Sequence, residues 1–94
     1  MTTDLRAQAE QKIEAYRAAS EWSVTRQAVL QCVSVLWSQT FTASRIARLS
    51  EPLTGADLDA AQVRAEFKLM CKAGVLRMGR ASNLDTTYEI ALQS

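Results

Sequence analysis

Residues 60–78, "AAQVRAEFKLMCKAGVLRM", change their periodicity part-way along. Val63, Phe67, Met70 and Ala73 recur at the three- and four-residue spacing of a single helix face. Gly74 then stands where helix ends favour glycine, because a left-handed residue there carries no Cβ penalty. Val75, Leu76 and Met78 follow as the start of a strand, and Tyr88, Ile90 and Leu92 alternate with Thr87, Glu89 and Ala91 on a second arm. Between the arms, "GRASNLD" has turn composition. The expectation is a helix over 59–73 capped by Asp57 or Asp59, then a hairpin over 76–92. Leu76, Met78, Tyr88, Ile90 and Leu92 should secure the hairpin to a core.

The upstream residues read as further helices. "DLRAQAEQKIEAYRAASEW" has Leu5, Ala9, Ile13 and Tyr16 at helical spacing, with Ala19 and Trp22 reached if the stripe drifts, so a helix is expected over 4–22. Its length suits either wrapping across the body or pairing with a second copy. Ser23 or Thr25 caps a second helix, "RQAVLQCVSVLWSQ", whose apolar face includes Val29, Cys32, Val33, Leu36 and Trp37. Thr42 caps a short third helix through Ile46 and Leu49, which Pro52 should end by about Glu51. "LTGADLD" then connects to residue 60. Trp22, Trp37 and Tyr88 read as core, and Cys32 and Cys71 as buried small hydrophobes.

At 94 residues the chain has room for one thin core. It has two cysteines and no histidine, so neither a disulfide scaffold nor an ordinary zinc cluster is expected. No glycine-rich phosphate loop is present, carboxylates such as Glu10 and Glu14 share a solvated face, and no enzyme activity or cofactor is expected. Without a signal-peptide layout or an 18-residue apolar run, the expectation is a cytoplasmic protein with reduced thiols and no membrane partner.

The net charge of +1 conceals an uneven distribution. Residues 1–40 balance four basic groups against four acidic ones. Residues 60–84 carry Arg64, Lys68, Lys72, Arg77 and Arg80 against Glu66 alone, which has only weak partners near it in sequence. An anionic partner should be met there.

The segment "FTASRIARLS…LDAAQVRAEFKLMCKAGVLRMGRASNLDTTYEIAL", residues 41–92, resembles the winged helix-turn-helix superfamily. The resemblance implies a mainly α fold with a small β-hairpin, as one domain over 1–94: an accessory helix at 4–22 and a winged-helix body at 25–92. Residues 43–50 would be the positioning helix, 59–73 the recognition helix and 76–92 the wing. Two features depart from the family pattern: the long acidic connection "SEPLTGADLD" and the extra first helix.

The function this implies is sequence-specific binding of double-stranded DNA by a small transcriptional regulator. The recognition helix would enter the major groove, with Gln62 and Arg64 reading base edges and Lys68 and Lys72 on phosphate. Thr42, Ser44 and Arg45 would hold a phosphate near a helix N-terminus. The wing would lie on backbone or minor groove through Arg77 and Arg80, with Asn83 at its tip. The two arginines, three apart on a strand, point to opposite faces, so at most one shares a face with a given ligand; Arg80, nearer the loop, is favoured, leaving Arg77 free to face water. The alternative is a non-enzymatic protein-interaction module on the same scaffold, such as a small phage-type regulator or inhibitor of a host protein. A homodimer through helix 4–22 fits either function.

Overall fold

The computed structural model describes residues 4–81 and 85–93. Four helices, α1 (Leu5–Ala19), α2 (Val24–Val35), α3 (Ala43–Thr54) and α4 (Ala60–Lys72), accompany three short strands, β1 (Phe41–Thr42), β2 (Leu76–Met78) and β3 (Thr87–Ile90). The strands form one antiparallel sheet in the order β1-β3-β2. The result is a small, mainly helical domain carrying a small antiparallel sheet.

Side-chain caps start every helix. Asp4, Ser23, Thr42 and Asp59 each accept a backbone N–H from the first turn, satisfying donors that a helix N-terminus otherwise leaves orphaned. Of the caps left open by the sequence, Ser23 and Asp59 are the ones used. Asp59 forms a capping box with Gln62, whose side-chain Oε1 accepts from the Asp59 N–H at 3.0 Å. At the far end of α4, Gly74 has φ +81°, Val75 N donates to Met70 O and Gly74 N to Cys71 O. These paired bonds turn the chain sharply from helix into β2.

One core gathers all four helices and the sheet. Val63, Phe67 and Met70 from α4 are buried, as their spacing predicts, together with Val29, Cys32 and Val33 from α2 and Ile46 from α3. Phe67 sits between aromatic rings, 5.5 Å from Phe41 and 4.7 Å from Tyr88 by ring centroids, so α4 is wedged against both β1 and β3. Leu76 pairs with Ile90 across β2 and β3, and both are buried.

Several sequence expectations need correction. Pro52 does not end α3, which runs on to Thr54. A polar knot holds that last turn: Thr54 Oγ1 donates to Ser50 O at 2.8 Å, Ala56 N donates to Thr54 Oγ1 at 3.1 Å, and the fully buried Ser50 hydroxyl donates to Ala56 O at 2.7 Å. Gly55, at φ +80°, closes the helix. These bonds offset the donor that proline removes.

Trp22 is not a core residue but is 73% exposed. Helix α1 ends at Ala19, where Ser20 adopts an extended backbone and its hydroxyl bonds back to Tyr16 O, so the helical stripe never reaches position 22. Met78 is likewise exposed, because β2 stops there while the burial is supplied by Leu76. Glu66, which has only weak partners near it in sequence, is paired with the sequence-distant Arg26 of α2, as described below. Strand β1 was not anticipated. Its register, Phe41 with Tyr88 and Thr42 with Thr87, makes a three-stranded sheet of the expected hairpin.

Helix α1 is fastened to the body along its length. Ala9, Ile13 and Tyr16 are buried, so the stripe suggested for pairing with a second copy is covered within the chain itself. Gln8 clamps the backbone of Gln93 in both directions, Nε2 donating to its carbonyl at 3.1 Å and Oε1 accepting its N–H at 3.2 Å. Lys12 Nζ donates to Gly74 O at 3.1 Å.

Candidate nucleic-acid interface

Helix α4 divides its side chains between three jobs. Val63, Phe67 and Met70 enter the core, Glu66 turns toward α2, and Ala61, Arg64, Ala65, Lys68, Leu69 and Lys72 face solvent. Arg64, Lys68 and Lys72 recur every four residues, so they follow one edge of that outer face over about 12 Å of helix.

The Glu66 side is closed by a latch. Arg26 Nε lies 2.8 Å from Glu66 Oε1, and the two side chains are only 14% and 13% exposed. The same guanidinium donates to Glu21 O at 2.8 Å and sits 5.8 Å from the centre of the Tyr16 ring. The hydrogen bond to Glu66 raises the Arg26 pKa further above its ordinary value. Burial raises that of Tyr16, against an opposing pull from Arg26. The latch ties the α1–α2 corner to α4 and removes the single negative charge from the basic segment.

Apart from Lys12, which bonds to Gly74 O, the cations fall into two groups. Arg6, Arg17, Arg26 and Arg77 are in salt bridges with Glu10, Glu14, Glu66 and Glu89 respectively. Arg45, Arg48, Arg64, Lys68, Lys72 and Arg80 are all exposed, and none makes a salt bridge among the described residues. They lie on α3, on α4 and beside the β2–β3 loop, and α3 and α4 pack directly against one another. Acidic groups gather at the other end of α4: Asp59 caps it, and Asp57 and Glu51 are exposed nearby in the chain. The free cations of α4 therefore begin at its second turn.

The residues singled out from sequence have different environments. Arg64, Lys68 and Lys72 share α4 and make no salt bridge among the described residues. Gln62 is exposed, but its carbonyl is engaged in the capping box. Thr42 spends its hydroxyl on the Arg45 N–H at 3.1 Å, Ser44 is half-buried, and the Arg45 guanidinium reaches Gln39 Oε1 at 3.2 Å. Arg77 does not simply face water: it lies 3.1 Å from Glu89 and also donates to Leu92 O. Arg80 is exposed, with its backbone N–H held by Thr87 Oγ1 at 2.7 Å. Asn83 lies outside the described residues. Arg48 went unnoticed, although its spacing of three from Arg45 puts both on the outer side of α3.

Other chemistry has little support in these residues. Among the described residues no group of three or more His, Cys, Asp or Glu side chains gathers to hold a metal, and no helix is long and apolar enough to cross a membrane. Cys32 is buried and Cys71 half-buried, both as free thiols, and burial pushes both thiols above their ordinary pKa, which disfavours the reactive thiolate. The chain matches no protein-family model and no curated protein.

Proposed function

We propose that the domain is a winged helix-turn-helix and that it binds double-stranded DNA sequence-specifically as a small transcriptional regulator. The supporting order is α2, β1, α3, α4, β2 and β3, with β1 closing the sheet against β3. In this reading α3 positions α4, α4 enters the major groove and the β2–β3 wing lies on backbone or minor groove.

The observation that carries the reading is the partition of cations. The basic side chains of α1, α2 and β2 are held by carboxylates or, for Lys12, by a carbonyl. Those of α3, α4 and the wing loop make no salt bridge among the described residues. Unpaired cations on adjacent elements are what a polyanionic partner needs, since each neutralised phosphate releases condensed counterions. Arg64 is the strongest base reader, because its planar fork matches guanine O6 and N7. Gln62 is a lesser one while its carbonyl serves the cap. Lys68 and Lys72 serve phosphate, as do Arg45 and Arg48 at the entry of α3, and Arg80 serves the wing.

Fluorescence anisotropy with a labelled mixed-sequence duplex at several salt concentrations tests this. Binding should weaken linearly on a log–log plot, with a slope near −3 if three or four phosphates are engaged. The double substitution R64A/K68A should abolish binding while leaving the circular dichroism spectrum and melting temperature in place. A wild-type protein that fails to bind duplex even at low salt would end the proposal.

A further inference from the structure

Two adjoining depressions lie along the seam between the C-terminal half of α1 and the C-terminal end of α4. They measure about 270 and 300 Å³ and share Tyr16 and Ala73 in their lining, so they form one continuous groove. The groove is open because α1 and α4 meet there through small side chains, Ala19 on one wall and Ala73 on the other. Tyr16 is its buried floor. Leu69, 45% exposed, forms an apolar wall, and the α1–α2 corner at one end carries Trp22 and Val24, both largely exposed. Folding leaves this apolar surface uncovered, although apolar burial is the main force holding the domain together.

The charges around the groove select its occupant. Lys12 lines one half, where its Nζ also donates one hydrogen bond to Gly74 O, and Lys72 lines the other; neither is in a salt bridge among the described residues. Lys68 lies one turn from Lys72 on the same edge of α4. Arg26 also lines the groove, but its charge is spent on Glu66. Glu21 is the single unlatched carboxylate, at the corner end. An apolar trough between two helices, with an ammonium in each half, complements a segment bearing apolar anchors on one face and carboxylates on its flanks.

We propose that this seam docks an acidic amphipathic helix of a protein partner. The apolar face of that helix would pack on Tyr16 and Leu69, and its carboxylates would meet Lys12 and Lys72. The site is separate from the base-reading role of Arg64 and stands whether or not the domain binds DNA. Lys72, and Lys68 at its edge, belong to both surfaces, so a bound helix would occupy part of the phosphate-contacting row.

The test uses a synthetic amphipathic peptide of about four turns, with leucine on one face and glutamate elsewhere, and a twin carrying lysine in place of every glutamate. Amide chemical-shift mapping on the full chain should place the glutamate peptide against residues 15–21 and 69–75. The lysine twin should bind at least about tenfold more weakly. The charge reversal K12E/K72E should invert that preference. Leu69→Asn, an exposed change that spares the fold, should weaken the glutamate peptide, whereas Arg64→Ala should leave it unaffected. The inference is overturned if the glutamate peptide does not bind, if both peptides bind alike, or if the shifts map elsewhere. Duplex binding, measured separately on the same samples, reports on the DNA proposal independently.

Discussion

The two longitudinal sides of α4 treat charge in opposite ways. On one side Glu66 is nearly buried against Arg26, whose guanidinium also donates to Glu21 O and lies over the Tyr16 ring. On the other, Arg64, Lys68 and Lys72 are exposed and make no salt bridge among the described residues. The first arrangement makes the helix part of the fold. The second contributes almost nothing to stability, since exposed charges far from partners are worth little. Charge that stability does not require is available for binding, and substitutions on the two sides should therefore separate folding from function.

The largest effect should come from the core beneath both sides. Phe67→Ala removes a fully buried ring packed between Phe41 and Tyr88 and should cost about 3–5 kcal/mol, readable by urea denaturation. Arg26→Ala comes next. It strands the Glu66 carboxylate in a largely dry site and should cost about 3 kcal/mol, with much of that recovered in R26M/E66L. If the single substitution is silent in thermal melts, the latch is not structural and the comparison breaks.

A smaller effect is expected at alkaline pH. Burial raises the thiol pKa values of Cys32 and Cys71 above the ordinary 9.0. Above that value the unfolded thiols ionise while the folded ones stay protonated, so stability should be level through neutral pH and fall as pH rises past about 9. The C32A/C71A variant should show a weaker fall. The smallest effect belongs to the free side: R64A/K68A should change stability by less than about 0.5 kcal/mol. A large loss there would mean these cations hold the fold after all.

The legible parts of the molecule were those whose causes are local. The helix-to-strand switch at Gly74 could be read from periodicity and a single glycine, and the burial of Val63, Phe67, Met70, Val75 and Leu76 followed. The Asp59–Gln62 box spans four consecutive residues, a local signal that Gln62's carbonyl is engaged by the cap. Partners distant in sequence were illegible. Arg26 and Glu66 are forty positions apart, and nothing near Glu66 announces the pairing. Two-residue β1 is too short to show alternation, so only its contact with β3 reveals it. Trp22 was misplaced because a stripe says which face a residue would occupy, not whether the helix persists that far.

Strand β1 also bears on the order in which the domain assembles. Its Phe41 must find Tyr88 across half of the sequence, whereas β2 and β3 meet through a local hairpin and neighbouring helices through short connections. Closing so long a loop costs chain entropy before any contact rewards it. The helices and the hairpin should therefore be structured in the folding transition state, with β1 docking afterwards and Thr42 setting the cap of α3 as it does so. Destabilising substitutions at Thr42 would then speed unfolding and leave the refolding rate nearly unchanged.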